Sequence, residues 1–131
     1  MKTYHVSPDR ITELRSDEIF VFGSNAQGLH GGGAARYAHR LFGAVWGEGV
    51  GRTGQCYAIP TMDGAVAAIQ PYVDDFIRYA AEHPELTFLV TEIGCGIAGY
   101  TPEQIAPLFA AALDQENIRL PGRFVEVLTK A

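Results

Sequence analysis

Asparagine, histidine and a run of bare backbone meet in one short stretch of this 131-residue chain, SNAQGLHGGGAARYAHR at residues 24–40. Three consecutive glycines, Gly31 to Gly33, separate a polar segment carrying Asn25 and His30 from an apolar pattern of helical spacing. Glycine loses more backbone freedom on folding than any other residue, so a run of three points to something that must come close to the main chain. Exposed amides ahead of a helix attract anions, phosphate above all, because N–H groups and the positive end of the helix dipole converge there. A second glycine-rich stretch, EIGCGIAGY at residues 92–100, offers another set of bare amides. Neither is a phosphate loop of the GK[ST] type, and the GxGxxG fingerprint of dinucleotide sites is absent. One such loop alone reads equally well as a tight turn. Two at the same edge of a fold would clamp a ligand.

The reactive side chains near these loops are few. His30 is suited to donate a hydrogen bond to phosphate, or to act as a general acid beside a glycosidic or ester bond; otherwise it is a loop histidine facing water. Cys95 stands between glycines ahead of a predicted helix, a setting that lowers a thiol pKa, with His30 as its candidate partner. A small residue packed into a tight loop is the preferred reading of Cys95. Arg36, His39 and Arg40 fall on one helix face by their spacing. They read first as a solvated face and second as another anion site. Asp63 lies in a TMDG turn and could reach the mouth of a site, although Asp-Gly is first of all turn chemistry. Trp46 and the glycines around it could form a lid. The four histidines are scattered and no metal is expected.

These groups need elements to hold them. KTYHV is read as an edge strand, and EIFVF, without clean polar alternation, as a strand buried on both faces. Ala34, Tyr37, Ala38 and Leu41 continue at helical spacing to Gly43. GAVWGEGVGRTGQ is a connection, CYAIP a strand, and Ile69, Tyr72, Val73, Phe76, Ile77 and Ala80 a helix opened by Pro71 and ending at His83-Pro84. LTFLVTEIG is the third buried strand. Thr101, Pro102 and Gln104 form a capping box ahead of a helix striped by Ile105, Leu108, Phe109 and Ala112. The chain then turns at Pro121-Gly122 into a last strand, RFVEVLT. Strands alternating with helices predict an α/β fold with a mostly parallel sheet, whose ligands bind at the carboxyl ends of the strands. Both glycine loops fall there.

Composition narrows the function classes. Apolar residues make up 47% and charged residues 19%, in one domain over 1–131 with no repeat or linker. No apolar run approaches membrane-spanning length, and MKTYHVSPDR lacks a signal-peptide core, so a cytoplasmic protein without a membrane partner is expected. Cys56 and Cys95 are read as free thiols. A net charge of −5 without a basic run argues against nucleic acid as the main partner, while neutral amides could still hold a phosphorylated small molecule.

Taken together, Asn25, Gly31 to Gly33, the alanines after them, His39-Arg40 and Gly43 resemble the first signature of macrodomains. Ile93 to Tyr100, IGCGIAGY, resembles their second ligand loop, and ITEL…DEIFVF resembles their usual opening. The resemblance covers about residues 11–128 and is specific in the two loops. It implies a three-layer α/β/α sandwich with a mostly parallel mixed sheet that binds ADP-ribose or a relative, free or carried on an ADP-ribosylated protein, without a cofactor. It implies further that Gly23, Ser24, Gly31, Gly32, Gly33 and Ala34 approach the distal ribose and diphosphate from one side. Asn25 would bond the distal ribose. Ile93, Gly94, Cys95, Gly96, Ile97, Ala98 and Gly99 would wrap the diphosphate from the other side, and Tyr100 would shelve against the sugar.

The family's hydrolases carry an acidic residue where Ala35 stands, or a lysine and an aspartate at the positions best matched by Met62 and Ala98. The adenine-contacting aspartate falls in PDRIT, where Asp9 is followed by Arg10. The leading expectation is therefore a binding module. The alternatives are a hydrolase of ADP-ribosylated or phosphorylated ADP-ribose substrates, with Asn25 and His30 as its catalytic residues, and a structural or partner-binding protein.

Overall fold

The apolar run Ile19–Phe22 lies in the middle of a six-stranded sheet, where two layers of side chains cover it. The computed structural model describes residues 4–25, 27–29, 31–96 and 98–130. Its strands are β1 (Val6–Ser7), β2 (Glu18–Ser24), β3 (Gly51–Thr53), β4 (Cys56–Pro60), β5 (Thr87–Val90) and β6 (Ile118–Pro121). They are ordered β1-β6-β5-β2-β4-β3, and every neighbouring pair is parallel except β3 with β4. The fold is thus α/β with a mostly parallel mixed sheet. Central β2 is paired on both sides, Val21 lying opposite Tyr57 of β4 and Val90 of β5.

Alternation along β2 decides which helix each residue meets. Phe20 and Phe22 point to the face covered by α1 (Gly33–Leu41), where they pack with Ala35, Ala38 and Phe42. Ile19 and Val21 point to the other face, with Val73, Phe76 and Ala80 of α2 (Gln70–Glu82). That face also takes α3 (Pro102–Ile105), the 3₁₀ segment Ala106–Ala112 that continues it, and α4 (Gly122–Thr129). Fully burying such a side chain contributes about 1.5–3 kcal/mol, so the two phenylalanines and the two aliphatics of β2 hold both helix layers to one strand. Among the described residues, no helix is long and apolar enough to cross a membrane.

Several expected elements stand and others shift. Helix α2 runs from Gln70 to Glu82 with Pro71 in its first turn, and Gln104 Oε1 accepts the Thr101 N–H at 2.9 Å ahead of α3. In α1 the buried residues are Ala35 and Ala38, whereas Leu41 is 56% exposed, so the apolar stripe is rotated from the expected Ala34–Leu41 line. The connection 43–55 contains a short strand, β3, which pairs antiparallel with β4. Of KTYHV only Val6 enters β1, and residues 1–3 lie outside the described residues.

The largest correction is at the C-terminus. RFVEVLT is helix α4, and the last strand is IRLP just before it. Phe124, Val127 and Leu128 recur at helical spacing and pack against the core from that helix. The β-branched and aromatic residues of the segment suggest a strand only when that spacing is overlooked. Buried Ile118 and Leu120 supply the strand instead.

Candidate functional site

Adjacent parallel strands β2 and β5 end side by side, and each runs into one of the glycine-rich loops. The loops touch at their bases. A Cβ on Gly23 would lie 3.1 Å from Thr61 Oγ1 and 3.3 Å from the Gly94 nitrogen, so a side chain here would crowd the contact between the loops. Beyond Ser24 the first loop braces itself. The Asn25 side chain bonds Leu29 twice, accepting from its N–H at 2.9 Å and donating to its carbonyl at 3.1 Å. Gly28 N–H closes a turn onto the Asn25 carbonyl at 3.0 Å. The loop then passes into α1 through Gly32, whose backbone is extended. Gly33 has φ +58°, a conformation that favours glycine.

The first turn of α1 has no capping side chain and no acidic residue. Its amides are therefore left to whatever occupies the space in front of them. That space is a cavity of about 420 Å³ between the two loops, with Gly31 to Gly33 on one wall and Ile93, Gly94, Gly96 and Ala98 on the other. A larger chamber of about 730 Å³ adjoins it, bounded by Asp9, Arg10, Ile11, Phe20, Tyr37 and Arg123 among others. Gly33, Ala34, Thr91 and Glu92 line both, so the two volumes form one elongated cleft along the strand ends.

The glycines facing the smaller cavity differ in what they do for the fold. A Cβ on Gly31 or on Gly96 would meet nothing within 4 Å, and neither has a positive φ. Packing and backbone conformation demand glycine at neither position. Gly94, by contrast, has φ +74°, and a Cβ there would press on Ile105.

The charged side chains of the cleft stand in the larger chamber, which Asp9, Arg10, Glu92 and Arg123 line. Glu92 is the one ionisable group among the described residues lining the smaller cavity. It is held bidentately by Arg123, with Arg123 Nε donating to Oε2 at 2.7 Å and Nη2 to Oε1. The carboxylate in turn keeps the Arg123 guanidinium charged, raising its pKa further. Thr91 turns its hydroxyl inward to the Val21 carbonyl at 2.8 Å. No group of three or more His, Cys, Asp or Glu among the described residues could hold a metal ion.

Most of the expected ligand residues line the cleft, and some do not. Gly23, Ser24, Asn25, Gly31 to Gly33, Ala34, Ile93, Gly94, Gly96 and Ala98 are in the wall of the smaller cavity. Ser24 contributes backbone only, its buried hydroxyl donating to the Gly49 carbonyl. Tyr100 is not in either wall. Its hydroxyl donates to the Gly64 carbonyl at 3.0 Å and its N–H to Gly94 O at 2.8 Å, so it props the second loop from behind. Gly99 is also outside both walls. His30 and Ile97 lie outside the described residues.

The secondary candidates move away from the cleft. Trp46 packs its ring edge against His39, 5.5 Å between centroids, and residues 45–50 contribute to neither wall. His39 stays in α1 with Arg36 and Arg40, all three exposed, and its Nδ1 lies 2.8 Å from the Ala44 carbonyl oxygen. Asp63 is exposed and lines neither volume, whereas Met62 beside it does. Glu92 was legible as a carboxylate ending a buried strand. Arg123 was not, because the segment holding it reads as a strand.

Cys95 packs partly against the core and is absent from the cavity wall. Burial raises its thiol pKa, and the Glu92 carboxylate raises it further. This is the opposite of what a nucleophile needs. Cys56 is fully buried and its pKa is pushed up to about 12 by burial. A disulfide-exchange reagent at mildly alkaline pH should therefore modify one thiol of the native protein, slowly, and the second only in denaturant. Cys95→Ser should remove the native signal, and two thiols reacting at one rate without denaturant would contradict these burials.

No family model, curated protein or solved structure matches this chain.

Proposed function

We propose that this chain is a macrodomain-like binding module for ADP-ribose or a related nucleotide diphosphate sugar. The observation that carries the reading is the pair Gly31 and Gly96. They face one cavity from two loops, and the fold itself requires glycine at neither. A ligand that must lie against the main chain accounts for both. The uncapped first turn of α1 supplies partial positive charge for a diphosphate at that point. The adjoining chamber, with Phe20, Ile11 and Tyr37 in its wall, suits a base and its ribose. An elongated ligand with a doubly charged centre and a sugar at one end fits the order of these parts.

Binding without turnover is favoured by what stands at the chemical positions. Ala35, Met62 and Ala98, onto which the family's reactive side chains map, all line the smaller cavity and carry no titratable group. Its one carboxylate, Glu92, is engaged by Arg123. The ligand would be met free in solution or carried on a modified protein.

Calorimetric titration with ADP-ribose, ADP and ribose 5-phosphate tests the proposal. Micromolar or tighter binding of ADP-ribose, tighter than either fragment by tenfold or more, is the expected result, since each tenfold corresponds to about 1.4 kcal/mol of additional contact. Absence of heat with all three, from a cooperatively folded sample, overturns it.

A further inference from the structure

Three cavities meet at Gly33. Two are the chambers of the cleft, and the third is a groove of about 400 Å³ along the outside of α1, lined by Gly33, Arg36, Tyr37, Arg40 and Leu41. Gly33 and Tyr37 also line the larger chamber, so the groove opens from the cleft between the uncapped helix turn and that chamber. Its two arginines are one helical turn apart, where like charges repel. Arg36 also sits near the positive end of a helix whose first turn has no acidic residue. No carboxylate among the described residues pairs with either arginine, although acidic residues outnumber basic ones 15 to 10 in the chain. Two exposed guanidinium groups thus line one groove, and no carboxylate among the described residues is paired with either.

We propose that this groove is a second anion subsite, and that it takes a phosphate carried on the ribose next to the diphosphate. The proposal rests on the nucleotide reading above and names the ligand class more narrowly: a nucleotide diphosphate sugar with an additional phosphate monoester. The branch point selects the position. A diphosphate at the α1 N-terminus and a base in the larger chamber put the intervening ribose beside Gly33 and Tyr37, where the groove begins. Guanidinium groups bind phosphate through paired N–H donors, and an arginine near a ribose is the general means of accepting a 2′-phosphate.

The test compares ADP-ribose with 2′-phospho-ADP-ribose by calorimetry at low ionic strength, where exposed charge is least screened. It uses wild type, Arg36→Ala/Arg40→Ala, and Arg78→Ala as an exposed arginine elsewhere. The extra phosphate should tighten binding to wild type and to Arg78→Ala by tenfold or more. The double variant should lose that gain while keeping its affinity for ADP-ribose. No gain in wild type, or an equal gain in the double variant, overturns the proposal. If ADP-ribose fails to bind wild type, the nucleotide reading is what fails, and inorganic pyrophosphate then decides for the groove. Binding of pyrophosphate that disappears in the double variant supports an anion site there; binding that is absent, or unchanged by the variant, removes it.

Discussion

Replacing Gly31 by valine should abolish ADP-ribose binding and leave the melting temperature within about 2 °C of wild type. The two halves of this result have separate causes. A Cβ at Gly31 has no protein atom within 4 Å, and its φ lies outside the range that strains other residues. Substitutions at such surface positions usually change stability by about 0.5 kcal/mol or less, which for a domain of this size is roughly 2 °C. Restricting the unfolded chain even favours the variant slightly, as it does for glycine replaced at a compatible backbone position. Gly31 lines the cavity between the loops, where a side chain would compete for space with a diphosphate lying against bare amides. Displacing it should weaken binding by a hundredfold or more, about 2.7 kcal/mol. Gly96→Val, on the opposite wall, should do the same. A valine at either position that melts like wild type and binds like wild type would show that the two glycines serve no ligand. Loss of binding together with a large drop in melting temperature would show instead that the positions are structural.

That separation was only partly visible from the residues. The glycine run announces close approach to the backbone, but the sequence does not distinguish a glycine at a positive φ, such as Gly33, from one crowded by its neighbours, such as Gly23, or from one constrained by neither. All three kinds occur within eleven residues, and only the built backbone sorts them. The central strands and α2 were legible because their apolar spacing is regular and their ends are marked by Gly or Pro. The C-terminal segment was not, because RFVEVLT has strand-forming residue types and only the spacing of Phe124, Val127 and Leu128 betrays a helix. That misreading hid Arg123, and with it the ion pair at the cleft wall. Tyr100 illustrates the converse. A motif put its position in the right loop, but the direction of its ring is set by Gly64, thirty-six residues away in sequence.

Gly28→Ala should reverse the pattern expected for Gly31, destabilising the protein by about 3 kcal/mol and lowering its melting temperature by roughly 10 °C. Gly28 is buried where the β2–α1 loop presses on the backbone of residues 47 and 48. A Cβ there would lie 2.3 Å from the Glu48 nitrogen and 2.4 Å from the Gly47 carbonyl carbon. These are main-chain atoms and cannot swing aside as a side-chain tip does. At φ +71° an alanine also pays the left-handed penalty of about 1–2 kcal/mol before any clash is counted. Relief requires the two loops to part, which breaks the bond from Gly47 N–H to the Gly28 carbonyl, 2.9 Å in the intact protein, and loosens the neighbouring Ser24–Gly49 contact. Asn25 and Leu29, locked to each other around the same turn, would move with it, so the wall of the smaller cavity shifts and ligand affinity falls along with stability. Thermal melting of the two variants side by side separates the roles. A Gly28→Ala protein that melts with wild type would mean that the contact of Gly28 with residues 47 and 48 is not tight and does not hold the loop.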